Sequence, residues 1–353
     1  MIRKLVVFVL IIIVIFVVSC ISDRRVNVVK ITKPIKSFDS IGNKIFFGKI
    51  TSIINCGDTL YLNDASNNNV LQVFIEKDTT LRLIRTFGRT GAGPGEFREN
   101  WMIYINNGRL YVENINVIHV FLLQGKFLKI IRFPGSASFL EQFVVDNREH
   151  IYKTRTSESD YCIAHYDNNG NFVSEFGELI PWEYKERKLS SNHRHLVMSD
   201  NEEIISVSVE RAQVDKFTRK GRIISTLKLE NKFDILKNTL DIQKKVYEKD
   251  REKGVKYVSF INISYINKFG NQLYILFAGY DFKRFNKFSD IELHYYLLAV
   301  DISGESCKLT NIYSFPKHDF YSSAFCILKN DLLLTYNYDT GSIEIYKIPG
   351  LVE

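Results

Sequence analysis

Gly57-Asp58-Thr59-Leu60-Tyr61-Leu62 runs from a polar turn into an apolar strand that opens on an aliphatic-Tyr step. The element returns as Leu110-Tyr111 after Asn107-Gly108, Ile151-Tyr152 after Asp146-Asn147, and Ile204-Ile205 after Asp200-Asn201. Two further copies are Leu273-Tyr274 after Gly270-Asn271 and Leu332-Leu333 after Asn330-Asp331. From position 60 through 110, 151, 204, 273 and 332 the separations are 50, 41, 53, 69 and 59 residues. A second element alternates with the first. Gly125-Lys126-Phe127, Gly170-Asn171-Phe172 and Gly221-Arg222-Ile223 align as hairpin turns, where glycine supplies the positive φ.

Two alternating hairpins per repeat describe the inner and outer halves of a propeller blade, which takes about 40–50 residues, so the longer separations imply insertions. The expectation is an all-β fold: a six-bladed β-propeller of four-stranded blades, whose radial repetition leaves few exposed edges. The last repeat holds three strands, Ser322 to Leu328, Leu332 to Tyr336 and Ile343 to Ile348. Val26 to Thr32, a strand with no other partner, is expected to close that blade as its outer strand. One insertion reads as a helix, about 231–254: Phe233, Leu236, Leu240 and Tyr247 share a face opposite Lys237, Lys244, Lys249 and Glu252, and Gly254 suits the end.

Upstream, Arg3 and Lys4 precede an unbroken apolar run from Leu5 to Val18, too short to span a bilayer comfortably and of the length of an export leader. It ends in Val17-Val18-Ser19-Cys20, which resembles the lipobox of bacterial lipoproteins, with Val17 where leucine is commoner. The chain therefore divides into a lipoprotein signal peptide, 1–19, and a mature domain, 20–353, anchored in the membrane through lipid on Cys20. No aspartate follows Cys20 directly, so the cell envelope, at the outer membrane, is the expected location.

Of 353 residues 45% are hydrophobic, 25% charged and 13% aromatic, the balance of a folded protein with a β-rich core. The formal charge of +7 is spread along the chain, with no concentrated basic stripe, which argues against a nucleic-acid partner. Cys56, Cys162, Cys307 and Cys326 form no C-x-x-C pair and read as buried free thiols.

Phe87-Gly88-Arg89-Thr90-Gly91-Ala92-Gly93-Pro94-Gly95-Glu96-Phe97 resembles the G-x-G-P-G-E-F segment of six-bladed propeller lipoproteins of Bacteroidetes, relatives of the NHL-repeat and TolB-like propellers. With the leader and the six copies, the resemblance covers nearly the whole mature chain. It implies fold and export, and no defined activity. Physically, Gly-Pro-Gly permits the sharp turns from one blade to the next, Phe97 is placed to wedge between blades and Glu96 to meet backbone donors. A phosphate loop is excluded, because no Gly-Lys-Ser/Thr follows and a strand, not a helix, comes next.

Two constellations are candidates for chemistry. Lys283, Arg284, Phe285 and Lys287 interleave basic and aromatic side chains in one connection, suited to an acidic or sugar ligand. His193, His195, His318, Asp319, Glu99 and Glu141 fall near the starts of inner strands, where radial repetition brings side chains toward the channel mouth. No Ser-His-Asp order or G-x-S-x-G elbow suggests a hydrolase. The sequence thus reads as a non-catalytic binding or scaffold lipoprotein, without a cofactor, holding a glycan, peptide or protein on its loop-rich face. The alternative is a metal-dependent lactonase or lyase with a divalent ion in the central channel.

Overall fold

Every copy of the turn-and-strand element is the second strand of a four-stranded antiparallel sheet. The computed structural model describes residues 26, 28–42, 45–77, 79–114, 117–134, 142–155, 159–181, 192–252, 263–281, 292–315 and 322–351. Blade one comprises Ile50–Cys56, Thr59–Asp64, Asn69–Ile75 and Leu81–Phe87, and blade two Asn100–Asn106, Arg109–Asn114, Val117–Leu122 and Phe127–Arg132. Blade three comprises Phe143–Val145, Ile151–Thr154, Tyr161–Tyr166 and Phe172–Glu178, and blade four Arg194–Met198, Ile204–Ser208, Gln213–Phe217 and Ile223–Lys228. Blade five is built from Ile263–Phe269, Gln272–Asp281, Glu292–Asp301 and Lys308–Ser314, and blade six begins with Ser322–Leu328, Leu332–Asn337 and Ser342–Lys347. The inner strands touch in chain order and the sixth returns to the first, closing the ring.

Each strand alternates its side chains between the two faces of its blade, so every blade buries both faces against its neighbours. The core is accordingly six apolar slabs, one between each pair of adjacent blades. The repeated tyrosines explain themselves here. Tyr61, Tyr111, Tyr152 and Tyr274 are all buried, and two of them carry a hydroxyl across an interface: Tyr61 donates to the Leu123 carbonyl of blade two, Tyr274 to that of Leu351 beyond blade six. Gly125, Gly170 and Gly221 hold φ of +83°, +89° and +82° in the outer turns, as the alignment requires. In blades one to five the pairing of third and fourth strands slips once, at Gln72/Val73, Val120/Phe121, His165/Tyr166, Lys216/Phe217 and Ala299/Val300. Such bulges add the twist an outer strand needs.

The closure differs from the sequence expectation. The outer strand of blade six is Lys36–Phe38, antiparallel to Ser342–Lys347, whereas Val28–Lys30 lies parallel to Lys308–Ser314 as a fifth strand on blade five. Val26 to Thr32 alternates well enough for either edge. The following Lys33-Pro34 segment carries the chain across to the next blade, with Ile31 buried in the slab between blades five and six.

Between blades four and five, Asp234–Glu252 is the single α-helix of the described residues. Phe233 and Leu236 are buried beneath it, with Phe233 edge-on to Phe277 and Tyr296, while Lys237, Lys244, Lys249 and Glu252 are exposed, as the periodicity predicts. The side chain of Tyr247 and residue Gly254 lie outside the described residues. Cys162, Cys307 and Cys326 are buried free thiols as expected, whereas Cys56 is free but exposed, because it ends its strand at the hairpin turn.

Candidate functional site

In each blade the connections after the fourth strand and after the second open on one face, and the tight hairpins on the other. The chain entering an inner strand from the loop-rich face has backbone N–H groups without a ladder partner, and these need acceptors. One position supplies them repeatedly, the end of the second strand. Asp64 accepts from Gly48 N–H at 2.9 Å, Asn114 from Arg98 and Glu99 N–H at 3.1 and 3.2 Å, and Thr154 from Gln142 N–H at 2.7 Å.

The same device fixes Lys49. Its N–H donates to Ser66 Oγ at 3.1 Å, its carbonyl accepts from Ala65 N–H, and the preceding Gly48 carbonyl accepts from the Tyr336 hydroxyl. Gly48 must lack a side chain, since a Cβ there would stand 2.3 Å from the Asp64 carboxylate. The Lys49 ammonium is thereby held 5.1 Å from the Trp101 ring centroid and 5.9 Å from that of Tyr338. Trp101 is set in turn by Asn100, which is fully buried and exchanges hydrogen bonds with Asn63: Asn63 Nδ2 donates to the Asn100 carbonyl at 2.9 Å and Asn100 Nδ2 to Asn63 Oδ1 at 2.5 Å. Tyr338 is 47% exposed in the turn after the second strand of blade six. Three neighbouring blades, six, one and two, thus deliver a cation and two aromatic faces to the rim of the channel. A cation over an aromatic ring is worth about 0.5–1 kcal/mol when exposed and more when water is displaced.

The glycine-rich loop borders this rim, tied to it by Asn68 Nδ2 donating to Thr90 Oγ1 at 3.1 Å. Phe97 is fully buried in the slab between blades one and two, and Glu96 accepts from Gly93 N–H at 2.8 Å while pairing with Arg89. The Gly93 N–H first, then Arg89, holds the Glu96 carboxyl below the usual range. Both expectations for this segment hold, and it is a structural junction.

The channel itself contains a cavity of about 290 Å³ walled by Ile54, Met102, Tyr104, Leu196, Met198 and Tyr265 among others. Tyr265 crosses from blade five to blade one: its hydroxyl meets Ser52 Oγ at 2.9 Å and its ring lies edge-on to Phe325 of blade six. Burial pushes that hydroxyl up to about 12, so it stays protonated.

Of the sequence candidates, His195 is buried with Nε2 3.3 Å from the Ile263 carbonyl, and burial drives its pKa down to about 4. His193 is half-buried and lowered for the same reason. Between them Arg194 forms a buried ion pair with Asp215 at 2.9 Å, which stabilises the blade from within. The Glu99 side chain is exposed. Among the described residues no three His, Cys, Asp or Glu side chains converge on one point, and His193, His195 and Glu99 are not brought together. Glu141, His318, Asp319, Lys283, Arg284, Phe285, Lys287 and Cys20 lie outside the described residues.

Lys49, Trp101 and Tyr338 were not singled out from the sequence. The available signal was position: Trp101, one of two tryptophans, follows the glycine-rich motif at the start of an inner strand, and Lys49 stands just before one.

No protein-family profile matches the chain, and no curated protein matches its sequence. Solved structures do match. A Bacteroides fragilis protein provisionally named as exported superposes with TM-score 0.54 at 11% identity, over 88% of either chain. A Bacteroides uniformis protein provisionally named as a 6-phosphogluconolactonase gives 0.47 at 14% identity, covering 87% of this chain and 83% of its own. Virginiamycin B lyase of Staphylococcus aureus gives 0.44 at 11%, covering 85% and 81%. At these identities the likeness is one of fold. Among the described residues no helix is long and apolar enough to cross a membrane.

Proposed function

We propose that this chain is a non-catalytic binding lipoprotein of the cell envelope, anchored through Cys20 at the outer membrane, that holds an acidic glycan on its loop-rich face. The observation that carries the reading is Lys49 suspended over Trp101 and Tyr338 at the channel rim. Aromatic faces pack against the C–H surface of a sugar ring, and an ammonium pairs with a carboxylate or phosphate on it. Lys283, Arg284 and Lys287, which lie outside the described residues, are carried from the sequence into the proposal as further cations for the same acidic ligand. Export accords with the leader and with the name of the Bacteroides fragilis structure of similar fold.

The test is an array of acidic and neutral glycans, with acidic peptides alongside, probed with the full chain and with Trp101→Ala, Lys49→Ala and the triple Lys283/Arg284/Lys287→Ala variant. Acidic glycans should bind. Trp101→Ala should weaken them at least tenfold, and Lys49→Ala should narrow the preference for acidic over neutral forms. Glycan binding that is indifferent to Trp101 and Lys49 overturns the site, and capture of peptides alone overturns the ligand class.

A further inference from the structure

The turns between third and fourth strands of blades two, three and four lie on the hairpin face, opposite the rim that holds Lys49, and each is followed by apolar side chains that the fold leaves uncovered. Leu128 of blade two, Phe172 and Val173 of blade three and Ile223 of blade four are between 39% and 54% exposed. Other blades do not repeat this. The fourth strand of blade one begins with buried Leu81 and exposed Arg82, and that of blade five with exposed Lys308. The three turns belong to one surface, because contacts run between neighbouring blades. Lys129 of blade two donates to the Asn168 carbonyl of blade three at 3.0 Å, and Arg219 of blade four pairs with Glu202 at 2.5 Å and lies 3.9 Å from Asp146 of blade three.

Charge on this surface is unbalanced. Its carboxylates are already engaged: Glu149 by Arg109 and Lys129, Glu202 and Asp146 by Arg219. Asp167 accepts from the Asn169 and Asn171 N–H groups and from the Asn171 amide, each at 2.8 Å. Lys126, Arg148, Lys220 and Arg222 are exposed, and among the described residues no carboxylate pairs with them. We propose that the hairpin face of blades two to four docks on an anionic lipid bilayer. Exposed apolar side chains interleaved with unpaired cations are what an interfacial surface requires: the apolar groups enter the headgroup boundary while ammonium and guanidinium groups meet lipid phosphates. A soluble polyanion would engage the cations alone and leave Phe172, Val173 and Ile223 in water. The choice of a bilayer rests in part on the anchor proposed at Cys20, whose tether allows either face to meet lipid, and this is the face whose chemistry fits one. Docked this way, the molecule keeps its rim site open to solution.

The test uses the mature chain, 20–353, with Cys20→Ala and without the leader, so that neither leader nor acyl chain contributes and failure of the anchor is separate from failure of the surface. At low ionic strength it should sediment with vesicles of phosphatidylglycerol and phosphatidylcholine mixed equally, and not with phosphatidylcholine alone. Each Lys or Arg near an anionic surface multiplies affinity by roughly fivefold, so the quadruple Lys126/Arg148/Lys220/Arg222→Ala variant should bind at least thirtyfold more weakly. The triple Phe172/Val173/Ile223→Ser variant should lose at least tenfold. Lys77/Lys308/Lys329→Ala, which removes cations from blades one, five and six, and Lys49→Ala, at the rim, should each stay within twofold of the parent. If the apolar variant fails to fold, the quadruple variant, which alters only exposed side chains, decides the matter. Absence of sedimentation with the mixed vesicles, capture by heparin with none by vesicles, or equal losses in the quadruple variant and the Lys77/Lys308/Lys329 control overturns the docking face.

Discussion

Gly88 shows how a single residue can be required twice over. Its φ is +83°, a region that costs an L-residue roughly 1–2 kcal/mol, and a Cβ there would lie 2.2 Å from the Phe97 ring. Phe97 cannot retreat, because it fills the slab between blades one and two. Gly88→Ala should therefore destabilise the fold by about 2–4 kcal/mol, read as a lower urea midpoint, and an unchanged midpoint would show that the wedge has room to shift. His195 gives a residue-scale pH effect. Its folded pKa of about 4 lies well below the unfolded imidazole value of about 6.5, through burial first. Below pH 6.5 the unfolded chain takes up a proton that the folded ring refuses, so this contribution is complete above pH 6.5 and is lost as pH falls toward 4. The difference amounts to roughly 3 kcal/mol at most. His195→Gln keeps an N–H for the Ile263 carbonyl and removes the proton site, so stability measured from pH 7 to 4 should fall less steeply than in the parent. The residual slope belongs to His119, His165 and His193, which burial lowers in the same direction, and near pH 4 also to Glu96 and Asp167, whose carboxyls are held below their usual range by hydrogen bonds. An unaltered slope would mean that water reaches His195.

At the scale of elements, the six second strands and the glycine turns were legible because each is dictated locally: a turn residue at fixed offset, then alternation. The helix was legible for the same reason, since Phe233 and Leu236 follow its period. The closing strand was not. Val28–Lys30 and Lys36–Phe38 are both three-residue edge strands, and which blade each joins depends on how the chain crosses from blade five to blade six, a non-local matter that alternation does not encode. The distinction has a measurable consequence. Removing residues 26–32 strips the fifth strand of blade five and takes Ile31 from the slab between blades five and six, and should lower the melting temperature by several degrees. Extending the deletion through residue 39 takes the outer strand from blade six and uncovers Ile343 and Ile345, which lie in the slab against blade one. That longer deletion should abolish the cooperative transition. Equal effects of the two deletions would mean that blade five, not blade six, holds the ring shut.

For the whole molecule, the ring could be read from the repeats, whereas the rim site could not. Lys49, Trp101 and Tyr338 come from three blades and stand 289 positions apart from first to last by their residue numbers, so only closure of the ring makes them neighbours. The position of the first strand also bears on the anchor proposed at Cys20. Val28–Lys30 runs parallel to Lys308–Ser314 and pairs with its last three residues, so it lies toward the loop-rich end of blade five. Cys20 lies eight positions before Val28, a reach of at most about 28 Å against a blade height of about 23 Å for a seven-residue strand, so the tether length allows either face to meet lipid. If Cys20 carries the proposed lipid, a soluble glycan can reach the rim site only when that face points away from the membrane. Cys56 offers a native probe, because it is exposed at the end of an inner strand on the hairpin face and the other described cysteines are buried. With the lipidated chain in vesicles carrying a nitroxide lipid, a fluorophore on Cys56 should be quenched at least twice as strongly as one on Tyr338→Cys in a Cys56→Ser background. Cys20→Ala should abolish quenching at both positions by releasing the protein from the vesicle. Stronger quenching at position 338 would reverse the orientation and place the aromatic rim against the bilayer, where no soluble glycan could reach it.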